Sequence, residues 1–123
     1  MTETTPSVAS RRLMPAEVKR RVSFELDRVV PLSSQGYVSV TPQDQAGRRC
    51  AAWCAHRYEV FAYPIATGAQ LEPIADALRG LPGATDVTVR TAGDFARDVA
   101  SSRAAPVRPG VYAHLPVREV SAS

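Results

Sequence analysis

Hydrophobic positions in residues 15–30, PAEVKRRVSFELDRVV, follow two periods at once. Val22, Phe24 and Leu26 alternate with Ser23, Glu25 and Asp27, as in a half-buried strand. Val18, Val22, Leu26, Val29 and Val30 also gather on one helical face about 120° wide. The flanks decide between them. Pro15 suits a first helical position, Glu17 and Arg21 form an i,i+4 pair, and Pro31 stops the run. The pattern predicts a helix over 15–29.

Further along, Tyr37–Thr41 (YVSVT) reads as a short strand and PQDQAG at 42–47 as a polar turn. Arg48 to Ala66 is the longest β-like stretch, and within it HRYEVFAYPIA is rich in aromatic and β-branched residues. Read as a strand, its parity places Cys50, Cys54, His56, Tyr58 and Val60 on one face and Trp53, Arg57, Glu59, Phe61 and Tyr63 on the other. Leu71, Ile74, Ala75 and Leu78 fit an amphipathic helix that Gly80 caps and Pro82 terminates. TDVTVRT at 85–91 alternates cleanly as a strand. Residues 93–109 admit either a short helix through Phe95 and Val99 or a long loop. GVYAHLPVREV at 110–120 closes the chain as a strand bent or edge-placed by Pro116. The predicted architecture is a single-domain α+β fold: a mostly antiparallel sheet with two or three helices packed on one face. Its bounds are 14–120, between a flexible arm at 1–13 and a flexible tail at 121–123, both poor in large apolar groups.

Composition narrows the class without changing it. At 123 residues the chain fits one domain able to bury its own core without disulfide or metal. No apolar run approaches the ~20 residues of a membrane-spanning helix, and the polar, acid-bearing start MTETTPSVASRR is not read as a secretory signal. The net charge is +3, and Lys19 is the single lysine among fifteen basic residues. The arginines come as scattered pairs among twelve acids rather than as a basic patch, which argues against a dedicated nucleic-acid face.

Candidate chemistry concentrates at 48–63. Cys50, Cys54 and His56, with His114, supply zinc-type ligands, but in an extended strand the two cysteine Cα atoms stand roughly 13 Å apart. That separation denies them both a disulfide and a shared metal, and free thiols are expected. His56 and His114 lack any acidic orienter or nucleophile placed by the sequence. Asp94 and Asp98, astride Arg97, read as ion pairs or helix capping. No G-x-S-x-G, G-x-G-x-x-G or P-loop occurs, so neither a catalytic residue nor a cofactor is assigned. Trp53, Phe61 and Tyr63 are expected to pack beneath Leu71, Ile74 and Leu78. The candidate interface set is Arg48, Arg49, Trp53, Arg57, Phe61, Tyr63 and Arg97, since apolar groups on both faces of a strand suit a subunit contact.

The order of elements resembles the tail terminator, or tail-completion, proteins of long-tailed bacteriophages. An N-terminal helix ends at a proline; YVSV, HRYEVFAYPIA, the helix LEPIADALRGL, DVTVR, an irregular D-F-A-R-D stretch and GVYAHLPV follow. The resemblance spans residues 15–120 and departs in the long Pro/Arg-rich segment at 93–109 and in the closeness of the polar turn to the first strand. It implies a non-enzymatic structural protein that assembles as a ring, typically a hexamer, on the tail tube and joins it to the head-side connector. The implied site of action is the virion tail, after assembly in the host cytoplasm. The alternative is a small cytoplasmic nucleic-acid-binding or regulatory domain using Arg48, Arg49, Arg57 and the neighbouring aromatics, with bases stacked on them.

Overall fold

The computed structural model describes residues 11–29, 37–63, 71–101 and 109–119. Helix α1 spans Pro15–Asp27. Its first turn is secured by Glu17, whose carboxylate accepts the Met14 backbone N–H at 3.2 Å and a bidentate pair from Arg11 at 2.9 and 3.2 Å. Val18, Val22 and Leu26 form its buried face. The helix stops two residues before the expected end, so Val29 is left exposed, and Val30 lies outside the described residues.

Strand β1 is Tyr37–Gln43, β2 Arg57–Tyr63, β3 Thr85–Arg90 and β4 Gly110–Pro116; helix α2 is Leu71–Arg79 and α3 Ala92–Ser101. The strands form one antiparallel sheet in the order β1-β2-β4-β3. β2 and β3 thus run parallel with β4 inserted between them, and α2 makes the crossover. The α+β architecture expected from the periodicities is the one observed.

Three local expectations change. β1 continues through Pro42 and Gln43, because Pro42 lies on an edge strand where a missing N–H costs nothing. β4 is interior rather than edge; Pro116 is accommodated as its last residue, opposite Arg57 at the start of β2. The folded body begins before residue 14. Arg11–Leu13 pair with 117–119 through Leu13 N–H to the Val117 carbonyl at 2.7 Å and Glu119 N–H to the Arg11 carbonyl at 2.8 Å, and Leu13 is buried. Residues 1–10 and the tail at 121–123 lie outside the described residues.

α1 and α2 cover one face of the sheet. Tyr58, Val60 and Ala62 from β2 and Val111, Ala113 and Leu115 from β4 meet Val18, Val22, Leu26, Ile74, Ala75 and Leu78 in one continuous core. Each large aliphatic group so buried contributes about 1.5–3 kcal/mol. Pro73 is tolerated because it is the third residue of α2, where no intrahelical acceptor exists for its missing N–H. α2 ends through Gly80 N–H to the Asp76 carbonyl at 3.2 Å; the left-handed residue of this turn is Gly83, φ +79°, rather than Gly80. α3 resolves the open choice at 92–101 as helix. It begins with reciprocal bonds between Thr91 and Asp94, at 2.9 Å from the Thr91 N–H and 3.1 Å from the Asp94 N–H.

The N-terminal latch carries a pH dependence. The Arg11 hydrogen bond, followed by that from Met14, lowers the Glu17 pKa from 4.5 to about 2. A depressed carboxyl stabilises the fold above its unfolded pKa, and that contribution disappears as pH falls from about 4.5 through 2. Thermal melts across this window are expected to show a gentler fall for Glu17→Gln than for the wild type, with the variant already less stable at neutral pH. Parallel curves would show that Glu17 is not the titrating group.

Candidate functional site

The sheet face opposite α1 and α2 carries the side chains that alternate with the core set. Arg57, Glu59, Phe61 and Tyr63 from β2 lie beside Tyr112 and His114 from β4, with Asp86, Thr88 and Arg90 of β3 beyond them. Phe61 stacks on Tyr63, centroids 6.4 Å apart with planes at 5°, and tilts against Tyr112 at 4.8 Å. Phe61 is buried, whereas Tyr63 is 40% exposed. Both therefore point away from Leu71, Ile74 and Leu78, correcting the expectation that they pack beneath α2. Parity within β2 is as predicted; the helices lie on the side of Tyr58, Val60 and Ala62.

The same face holds an Asp–His pair. His114 Nδ1 stands 2.8 Å from Asp86 Oδ2. Asp86 occupies the left-handed region at φ +54°, within the irregular register between Thr85 and Thr88. Such a conformation costs about 1–3 kcal/mol in a non-glycine residue and is held by the surrounding pairing. Sequence reading missed Asp86, because adjacency of β3 to β4 is a tertiary fact; an acid among alternating Thr and Val was the only local signal. Glu59 is the cross-strand neighbour of His114. The shallow groove here measures about 290 Å³ and lies open to solvent between Glu59, Asp86, Arg90 and His114. Enclosed small-molecule sites generally begin at about 300 Å³ and surround their ligand. Thr88, which lines the groove, donates its hydroxyl to the Asp86 carbonyl at 3.2 Å. The arrangement orients an imidazole on a surface more readily than it builds a reaction chamber.

Between β1 and β2 the chain makes an excursion at 44–56, and here the long-strand expectation fails. Asp44 Oδ1 accepts the Ala46 and Arg48 backbone N–H groups, each at 2.9 Å, closing a turn at Gly47. Residues 52–54 form one 3₁₀ turn. Cys50 N–H returns to the Pro42 carbonyl at 3.1 Å and His56 N–H to the Gln43 carbonyl at 2.8 Å. Backbone demand at the end of β1 is thereby met without extending the sheet. Trp53, at the centre of the 3₁₀ turn, is 80% exposed.

No family model, curated protein or solved structure matches this chain. The site is therefore read from its own geometry.

The candidate arginines are dispersed by the fold. Arg57 Nε donates to Gln43 Oε1 at 2.8 Å, and its guanidinium lies over Gly47, 2.9 Å from where a Cβ there would stand. Arg48 pairs with Asp44 at 3.8 Å, and Arg97 on α3 pairs with Asp94. Arg49 is exposed within the excursion. The capping reading of Asp94 holds, through Thr91; the Asp98 side chain lies outside the described residues. Among the described residues no set of three or more His, Cys, Asp or Glu side chains is arranged to hold a metal, and no helix is long and apolar enough to cross a membrane.

Proposed function

We propose that this protein is a non-enzymatic assembly subunit, with a role like that of the tail terminator proteins its element order resembles. In this reading it forms a closed ring of identical subunits that caps a tail tube and meets the head-side connector. The observation that supports it is the distribution of uncovered apolar groups. Trp53 projects from the excursion, Phe24 from the outer side of α1, Tyr63 from the sheet face opposite α1 and α2, and Val99 from α3, each at least 40% exposed. Cyclic assembly joins two different patches of each subunit, so apolar groups on several sides of one body are what it requires. The ion-paired arginines and shallow groove serve a polar rim better than a substrate pocket.

Native mass spectrometry of the full chain tests this. A closed oligomer, or a complex with tail-tube subunits, is expected. A protein that stays monomeric at micromolar concentration and binds no tube overturns the proposal. Trp53→Ala sharpens the test: the side chain contributes little to the monomer, so the melting temperature is expected to hold while association weakens by about 30-fold or more, as for a central aromatic anchor. Unchanged association in this variant removes Trp53 from the interface.

A further inference from the structure

The excursion also places its two cysteines together. Cys50 precedes the 3₁₀ turn Ala52–Cys54 and Cys54 ends it, and both thiols donate to one oxygen, the Ala51 carbonyl, at 3.4 Å each. The sulfurs are therefore separated by no more than twice that distance. The extended-strand expectation, which kept them far apart, is overturned by the turn. Burial, as the larger cause, and the nearness of Cys54 raise the Cys50 pKa.

The turn is anchored from outside. Arg12, on the segment paired with 117–119, donates from one guanidinium nitrogen to the Ala52 carbonyl at 2.8 Å and the Ala55 carbonyl at 3.0 Å. With the bonds from Cys50 N–H to Pro42 and from His56 N–H to Gln43, both sides of the turn are tied to the folded body. The cysteines are thus neighbours by construction. Cys54 is exposed and Cys50 half-buried behind it, the arrangement of an attacking and a resolving thiol.

We propose that Cys50 and Cys54 are a reversible redox pair that closes an intramolecular disulfide across this turn when met by a low-molecular-weight disulfide. The Cys54 thiolate attacks one sulfur of the oxidant, forming a mixed disulfide and releasing one thiolate. The Cys50 thiolate then attacks the Cys54 sulfur, forming the internal bond and releasing the second. Two protein thiols are oxidised, the oxidant's disulfide is reduced to two thiols, and the protons lost by the cysteines are taken up by the leaving thiolates or by solvent. A solvent-accessible bond over so short a loop is the kind that a reductant reopens. Its formation locks the segment that presents Trp53.

The test is incubation of the full chain with oxidised glutathione at neutral pH, acid quenching, alkylation and intact-mass and peptide analysis. The wild type is expected to lose two hydrogens, resist alkylation at both cysteines without reductant, yield a Cys50–Cys54 crosslink, and recover both thiols with dithiothreitol. Cys50→Ser is expected to lose the crosslink and stop with one glutathione on Cys54. Two glutathiones per wild-type chain, a disulfide between chains, or two free thiols under excess oxidant would each overturn the proposal. A melting temperature measured on Cys50→Ser keeps loss of the crosslink separable from loss of fold.

Discussion

Gly110→Ala is expected to destabilise the protein by about 3 kcal/mol or more. Gly110 opens β4 at φ +147°, a conformation that L side chains rarely adopt. A Cβ added there would stand 2.5 Å from Phe61 Cε1 and 2.9 Å from the Ala62 carbonyl oxygen. The carbonyl belongs to β2 and cannot withdraw without breaking register with β4. Phe61 is held in turn by Tyr63 and Tyr112. Backbone strain of about 1–3 kcal/mol therefore adds to an overpacking cost of similar size. For a domain of this length the midpoint of thermal unfolding is expected to fall by roughly 10 °C. Phe61→Leu in the Gly110→Ala background is expected to restore part of the loss, since it removes one of the two obstacles. A Gly110→Ala melt indistinguishable from wild type would mean that β4 starts in another conformation.

Tyr58→Ala is expected to cost about 3–5 kcal/mol through lost packing, and Tyr58→Phe about 1–3 kcal/mol through lost hydrogen bonding alone. Tyr58 is fully buried at the centre of the sheet, and its hydroxyl donates to the Leu13 carbonyl at 2.7 Å. Burial raises the phenol pKa, so the group remains a donor across the physiological range. Phenylalanine preserves the ring and leaves the Leu13 carbonyl without this donor. The loss should concentrate on the segment at 11–13, which that bond fastens over the core. Chemical denaturation of the two variants measures the total costs; amide exchange at Leu13 and Glu119 locates them. Equal stability of Tyr58→Phe and wild type would show that the Leu13 carbonyl finds water instead.

Much of the fold could be read from local periodicity. In α1 the spacing of Val18, Val22 and Leu26 with Pro15 at the entrance overrode a competing alternation, and those three residues are the buried face. In α2 the buried Ile74, Ala75 and Leu78 were legible for the same reason. Within β2 the alternation separated Tyr58 and Val60 from Glu59 and Tyr63 correctly, but it could not say which set would meet the helices. Aromatic content suggested Phe61 and Tyr63; the structure chose Tyr58. The candidate interface residues behaved similarly. Arg57 looked available because its chemistry is visible in the sequence, while its bond to Gln43 required the hairpin to form.

By itself, then, the sequence determined the class of the fold, the existence of α1, α2 and the four strands, and the side chains able to form each face, while α3 stayed open between helix and loop. Those properties depend on neighbours three or four residues away in a helix and two in a strand. Tertiary structure alone decided the pairing order β1-β2-β4-β3, the meeting of Asp86 with His114, and the docking of Arg12 on the turn that joins Cys50 to Cys54. These contacts bridge 28 residues between Asp86 and His114 and 40 or 43 between Arg12 and its two carbonyls. No local pattern encodes such distances, because they follow from which surfaces exclude water together once the elements exist.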